Sequence, residues 1–270
     1  MKRVFAVILI LAMIFTFSAC GEEKKAALEL YNKEAARITE EETALNTLIA
    51  ECDKALETKA EPLDRETLDN LTTVLSEARS GIIELPQAKG NAEAINTLVN
   101  DNLKKVSYVE ATDKLKEAKD AYDISVKQMQ MVTNPSEADV ISRTKDIEGI
   151  IGLEAVTEDN DPNGNLNKPG GYTATIYYRY DKVDESDLYI MPGETIVDIG
   201  TDGGAAIEVY ANVDDANKRN DYLATFDGSF LNVGSHTVIG TVIVRTSDNL
   251  TATEQKELTQ QFIDALTKVD

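Results

Sequence analysis

Residues 172–180 read Tyr-Thr-Ala-Thr-Ile-Tyr-Tyr-Arg-Tyr. Thr173, Thr175, Tyr177 and Arg179 alternate with Ala174, Ile176, Tyr178 and Tyr180, the period of two that a pleated strand imposes. β-Branched and aromatic side chains also suit a half-buried pleated surface. Working outward from this strand, Ala206–Tyr210 reads as another. A β-branched run from Thr237 to Arg245 reads as one more, interrupted only by Gly240. Leu153–Thr157 and Glu194–Ile199 are shorter candidates. Helical patterns run from about Val213 to Phe226 and from a Ser247 or Thr251 cap to near Lys268. Asn134 is placed to cap a helix from Pro135, at its favoured first position, to about Gly149. Residues 134–270 therefore predict an α+β domain with a mainly antiparallel sheet covered by helices.

Before residue 134 the pattern changes. Residues 20–133 are rich in Ala, Glu, Lys and Leu and poor in aromatics, a helical composition. Leu28, Tyr31, Ala35, Ile38, Leu45, Ile49, Cys52 and Leu56 recur at alternating three- and four-residue steps, broken only at Glu42. Such a seam faces a partner helix. Glu61-Pro62 ends this helix, because the residue before proline is pushed from helical geometry. A second helix starts at Asp64 with a seam of Leu68, Leu71, Leu75, Ala78 and Ile82. A third, capped by Asn91, carries Ile95, Leu98, Val106, Val109, Leu115, Ala118, Tyr122 and Met129 as far as Asn134, with a kink or register change near Asn102. Short connections between three amphipathic helices predict an antiparallel bundle or coiled coil. It would serve as a stalk or as a surface for self-association.

The stretch richest in ligand chemistry is Asp159–Asn167. Asp159, Asp161 and Asn163 precede Gly164 at the spacing of the first half of a calcium loop, and Asn165 adds an oxygen donor. The bidentate glutamate expected at position twelve is replaced by Gly170, so Asp198 or Asp202 would have to complete the shell. The competing reading is an Asn/Asp/Pro/Gly loop chosen for its turn geometry.

Composition narrows the classes. The chain has 48 acidic and 27 basic residues and a net charge of -21, with the heavier acidity after residue 133. Phosphate backbones are repelled by such a surface, so nucleic acid is a poor partner. With one histidine and two cysteines, a zinc or copper site built from His and Cys is not expected. No G-x-S-x-G stretch accompanies His236, so a Ser-His-acid hydrolase is disfavoured and no catalytic residue is assigned. Residues 1–19 form an export signal. Lys2 and Arg3 precede an apolar run, Val4 to Phe17, too short for a comfortable membrane span. Phe17-Ser18-Ala19-Cys20 then resembles the end of a bacterial lipoprotein signal. The resemblance implies a lipid on Cys20 and an extracytoplasmic, membrane-held protein. An ordinary secretory signal cleaved after Ala19 is the alternative.

A second resemblance covers roughly residues 140–268. Asp161-Pro162-Asn163, Lys168-Pro169-Gly170-Gly171-Tyr172-Thr173, Glu208-Val209-Tyr210, Asp215-Ala216, Arg219-Asn220-Asp221-Tyr222-Leu223, Val244-Arg245-Thr246-Ser247 and Leu250-Thr251 resemble a domain of uncharacterised Gram-positive surface lipoproteins, some labelled extracellular-matrix-binding-like. That family brings no activity with it. The expectation is a non-enzymatic α+β domain that binds a protein, a wall component or a cation. An accessory binding component of a transporter or wall-processing system is the alternative, and a hydrolase stands third.

Overall fold

A computed structural model describes residues 21–184, 186, 188, 190–229 and 234–269. Helices make up the N-terminal region, and a five-stranded antiparallel sheet with helices follows. Two compact units are formed, one by residues 21–58 with 71–118 and the other by residues 59–70 with 119–269. This division runs through the second and fourth helices, whereas composition changes at Pro135.

In the first unit, α1 spans Glu22–Glu57, and the seam residues Ile38, Leu45, Ile49 and Cys52 are buried along it together with Ala27. Helix α2 covers Arg65–Ser80; it belongs to this unit from Leu71 on, and Leu71, Leu75 and Ala78 are buried. At its start, in the second unit, the Asp64 carboxylate accepts from the Glu66 N–H at 2.9 Å, as a cap should. After Gly81 the chain is not helical up to Gly90, so Ile82 lies outside the expected seam.

The expected continuous third helix is corrected. Asn91 does cap α3 (Ala92–Thr97), accepting from the Ala94 N–H. The helix then loosens into a π turn, Leu98–Asn102, and tightens into a 3-10 turn, Leu103–Lys105. Val106 is extended, and α4 begins at Val109 and runs to Met131. Breaking a helix strands carbonyls at one end and amides at the other. Here α1 supplies the partners. Arg37 donates to the Leu103 and Val106 carbonyls at 3.2 and 2.9 Å. Glu41 accepts from the Tyr108 N–H at 2.8 Å and the Ser107 hydroxyl at 3.0 Å. Arg37 is itself held by Glu34 at 2.9 Å and by Glu41 at 2.7 Å. An i,i+4 pair on one helix thus caps both ends of the gap in another.

The second unit contains β1 (Ile150–Ala155), β2 (Tyr172–Tyr180), β3 (Gly204–Tyr210), β4 (Ser235–Ile239) and β5 (Val242–Thr246) in the order β1-β2-β3-β5-β4, every pair antiparallel. The decisive strand has the limits read from its alternation. Three neighbouring expectations are corrected. Thr237–Arg245 is not one strand but most of the β4–β5 hairpin, which turns at Gly240 with φ 58°. A Cβ there would lie 2.5 Å from the Val132 carbonyl oxygen, so glycine answers two constraints at once. Glu194–Ile199 is not a strand. Thr195 and Asp198 form a capping box, which turns Ile196–Ile199 into the short helix α6. The helix after Pro135 is α5, Glu137–Thr144, capped by a Ser136–Asp139 box instead of by Asn134. Asn134 adopts φ 45° and donates its N–H to the Thr241 hydroxyl.

Helices lie on both faces of the sheet. On one face Ala174, Ile176, Tyr178, Ala205, Ile207, Val209, Val242 and Val244 pack with Val140 of α5 and with Leu258, Phe262 and Leu266 of α8 (Ala252–Thr267). Tyr178 meets Phe262 edge to face and shares a 2.8 Å hydrogen bond with Thr144. On the other face Tyr177, Ala206, Tyr210 and Ile243 pack with Ala216 and Leu223 of α7 (Val213–Ala224) and Val197 of α6. The strands therefore bury both sides, and β3 is buried at every position.

Candidate functional site

The face beneath α7 also carries charge. Glu208 sits mid-way along β3 between Ile207 and Val209, which point the opposite way, and it is 2% exposed. Four donors reach its carboxylate. Arg219 of α7 gives two, Nε–H to Oε2 and Nη2–H to Oε1, both at 2.9 Å. Arg245 of β5 donates to Oε1 at 2.8 Å, and the Tyr210 hydroxyl donates to Oε2 at 2.8 Å. A carboxylate offers about four lone-pair sites, so Glu208 is saturated. Burial alone would raise its pKa. The two guanidinium groups and the Tyr210 hydroxyl outweigh burial and bring it to about 2.

One glutamate facing two arginines leaves a positive excess inside an acidic protein. The Tyr222 ring lies 5.5 Å from the Arg219 guanidinium and takes part of that charge on its π face. Among the described residues, two polar atoms on this face lack a hydrogen-bond partner, Arg245 Nε and Thr175 Oγ1. Thr175 pairs across the ladder with Glu208. Its hydroxyl faces a carboxylate with no free lone pair.

The sequence-derived metal residues are placed as follows. Asp161 accepts from the N–H groups of Asn163 and Leu166 at 3.0 and 2.8 Å and from the Tyr172 hydroxyl. Burial would raise its pKa, but the Tyr172 hydroxyl and the backbone N–H groups hold it below the usual carboxylate range. Asp159, Asn163 and Asn165 are exposed. Asp198 belongs to the α6 capping box. Asp202 is raised by burial and by Asp248, and eased by Arg245. Among the described residues, no group of three or more His, Cys, Asp or Glu side chains could hold a metal ion. A cation at Asp161 would compete with the three donors that shape the loop. Gly171 closes the same loop, where a Cβ would fall 2.0 Å from the Asn165 carbonyl oxygen.

His236 bridges β4 to α7. Its Nδ1 is 2.7 Å from Asn220 Oδ1 and its Nε2 is 3.2 Å from Asp227 Oδ1. The neighbouring Ser235 hydroxyl bonds Thr246 at 2.6 Å instead of the imidazole. Cys52 is buried, and Cys20 lies outside the described residues.

Sequence reading missed the Glu208 cluster as a site, although its members were in view. Glu208, Tyr210, Arg219 and Arg245 all belong to the stretches that carry the family resemblance, and the fold brings those stretches to one point. The usable signal was a charge inside an apolar strand run, Ala205–Tyr210 and again Val242–Thr246, since a charge buried there needs a partner. No protein-family model, curated protein or solved structure matches the chain.

Proposed function

We propose that the chain is a membrane-anchored extracytoplasmic lipoprotein that presents a non-enzymatic α+β unit for binding a protein or cell-wall partner. The observation that carries this reading is the junction after Cys20. A signal-like apolar run ends at that cysteine, one glycine follows, and α1 begins at Glu22. No helix among the described residues is long and apolar enough to cross a membrane. In the same reading the helical unit acts as a stalk of antiparallel bundled helices. The buried seam of Ile38, Leu45, Ile49 and Cys52 on α1 supports that role.

The test is metabolic labelling of cells with an alkynyl fatty acid, followed by membrane fractionation. Wild-type protein is expected to take up label and sediment with membranes, and Cys20→Ser to do neither. Unlabelled wild type, or sedimentation unchanged in Cys20→Ser, would overturn the anchor.

A further inference from the structure

Resting on that anchor reading, we propose that the end of the helical unit formed by the first turns of α1 and the Pro86–Glu93 segment is a lipid-contact surface seated against the headgroup layer. Three observations carry it. The first is the length of the tether. Gly21 alone separates Cys20 from α1, and even a fully extended residue spans only about 3.5 Å. Packing begins at once, since Ala27 is 2% exposed. A lipid on Cys20 therefore leaves no slack between acyl chains and folded protein.

The second is the partner of this helix end. The Tyr31 hydroxyl donates to the Pro86 carbonyl at 2.9 Å, and α3 packs along α1. Side chains on a helix lean toward its N-terminus, so Tyr31 draws the segment after Pro86 alongside the first turns. The third is charge. Over residues 22–31 and 86–93, Lys24, Lys25 and Lys89 stand against Glu22, Glu23, Glu29 and Glu93, a balance of -1, while the whole chain carries -21. Anionic headgroups repel an acidic surface and attract Lys and Arg. An end this close to neutral is the part of this protein that an anionic bilayer tolerates at close range.

Spin labels at the exposed positions 25, 89 and 54 test the proposal, with Cys52→Ala removing the buried thiol. Position 54 lies on the same helix, about 44 Å along its axis from position 25. Lipidated protein would be reconstituted into phosphatidylethanolamine–phosphatidylglycerol vesicles. Collisional accessibility to oxygen and to a water-soluble nickel chelate then reads depth. Labels at 25 and 89 are expected at headgroup depth and the label at 54 in water. A flexible Gly/Ser linker inserted between Gly21 and Glu22 is expected to move 25 and 89 into water while the protein stays on the vesicles. Aqueous signals at 25 and 89 in protein whose intact mass shows the lipid would overturn this surface and leave the anchor standing. An intact mass without the lipid would overturn both.

Discussion

At Glu208 the order of substitution effects follows from charge counting. Removing Glu208 leaves the buried Arg245 guanidinium and the partly exposed Arg219 guanidinium close together with no anion. Removing Arg219 leaves Glu208 paired with Arg245. Glu208→Ala should therefore cost about 3–5 kcal/mol, the range for breaking a buried ion pair, and more than Arg219→Ala. Urea denaturation of the three proteins checks that order. Thr175 gives the opposite sign. Its buried hydroxyl lacks a partner, and such a group carries a desolvation cost of roughly 1–3 kcal/mol. Thr175→Val keeps the shape and should leave stability unchanged or raised in the same assay. For Asp161 the three internal donors make the carboxylate a loop anchor. Asp161→Ala should lower the melting temperature equally with chelator and with millimolar calcium. A calcium-induced rise in wild type that this variant abolishes would return the loop to metal binding. Single residues of this kind were the least legible part of the sequence. Asp161 showed its ligand chemistry but not the hydroxyl, eleven residues away at Tyr172, that would occupy it. Glu208 was visible as a letter, but its donors come from positions 210, 219 and 245.

Elements were read well where one local rule governs them. Alternation located β2 to the residue, Asn91 caps the helix expected of it, and of the two caps offered for the last helix Thr251 is the one used. Reading failed where a distant group decides. The break at Leu98–Tyr108 exists because Arg37 and Glu41, more than sixty residues earlier, satisfy the freed backbone. Arg37→Ala should accordingly speed amide hydrogen exchange over residues 103–109 and leave exchange in the sheet unchanged. Equal exchange in both proteins would mean that the clasp is ornamental. The β4–β5 hairpin was missed because Gly240 sits in a β-branched run without the Asn-Gly or Asp-Gly signal. What fixes the turn is the Val132 carbonyl, which accepts from the Thr241 N–H at 2.9 Å.

For the whole molecule, acidity sets the response to solvent. The folded pKa of Glu208 lies below its unfolded value, so its contribution is present above the unfolded pKa and is lost as pH falls through the folded one. A drop from 4.5 to about 2 corresponds to roughly 3 kcal/mol. Stability by circular dichroism should therefore fall between about pH 4.5 and pH 2, and Glu208→Gln should flatten that part of the curve. Salt should act the other way. A net charge of -21 strains the compact state by self-repulsion, and screening relieves it, while the buried cluster is screened much less. Moving from low to physiological ionic strength should raise the melting temperature. The broad plan, helices first and an antiparallel sheet with helices afterwards, was legible because composition and period change together near Pro135.

The strand order has a consequence for timing. β3 lies at the centre of the sheet, between β2 and β5, and β5 ends at Thr246. The central strand thus waits for a partner made well after it, and the β4–β5 hairpin completes the row. Pairings this distant along the chain form slowly, since loop closure precedes the contacts that reward it. The sheet of the second unit therefore stays incomplete until Thr246 has been made, whereas the first unit needs nothing beyond residue 118.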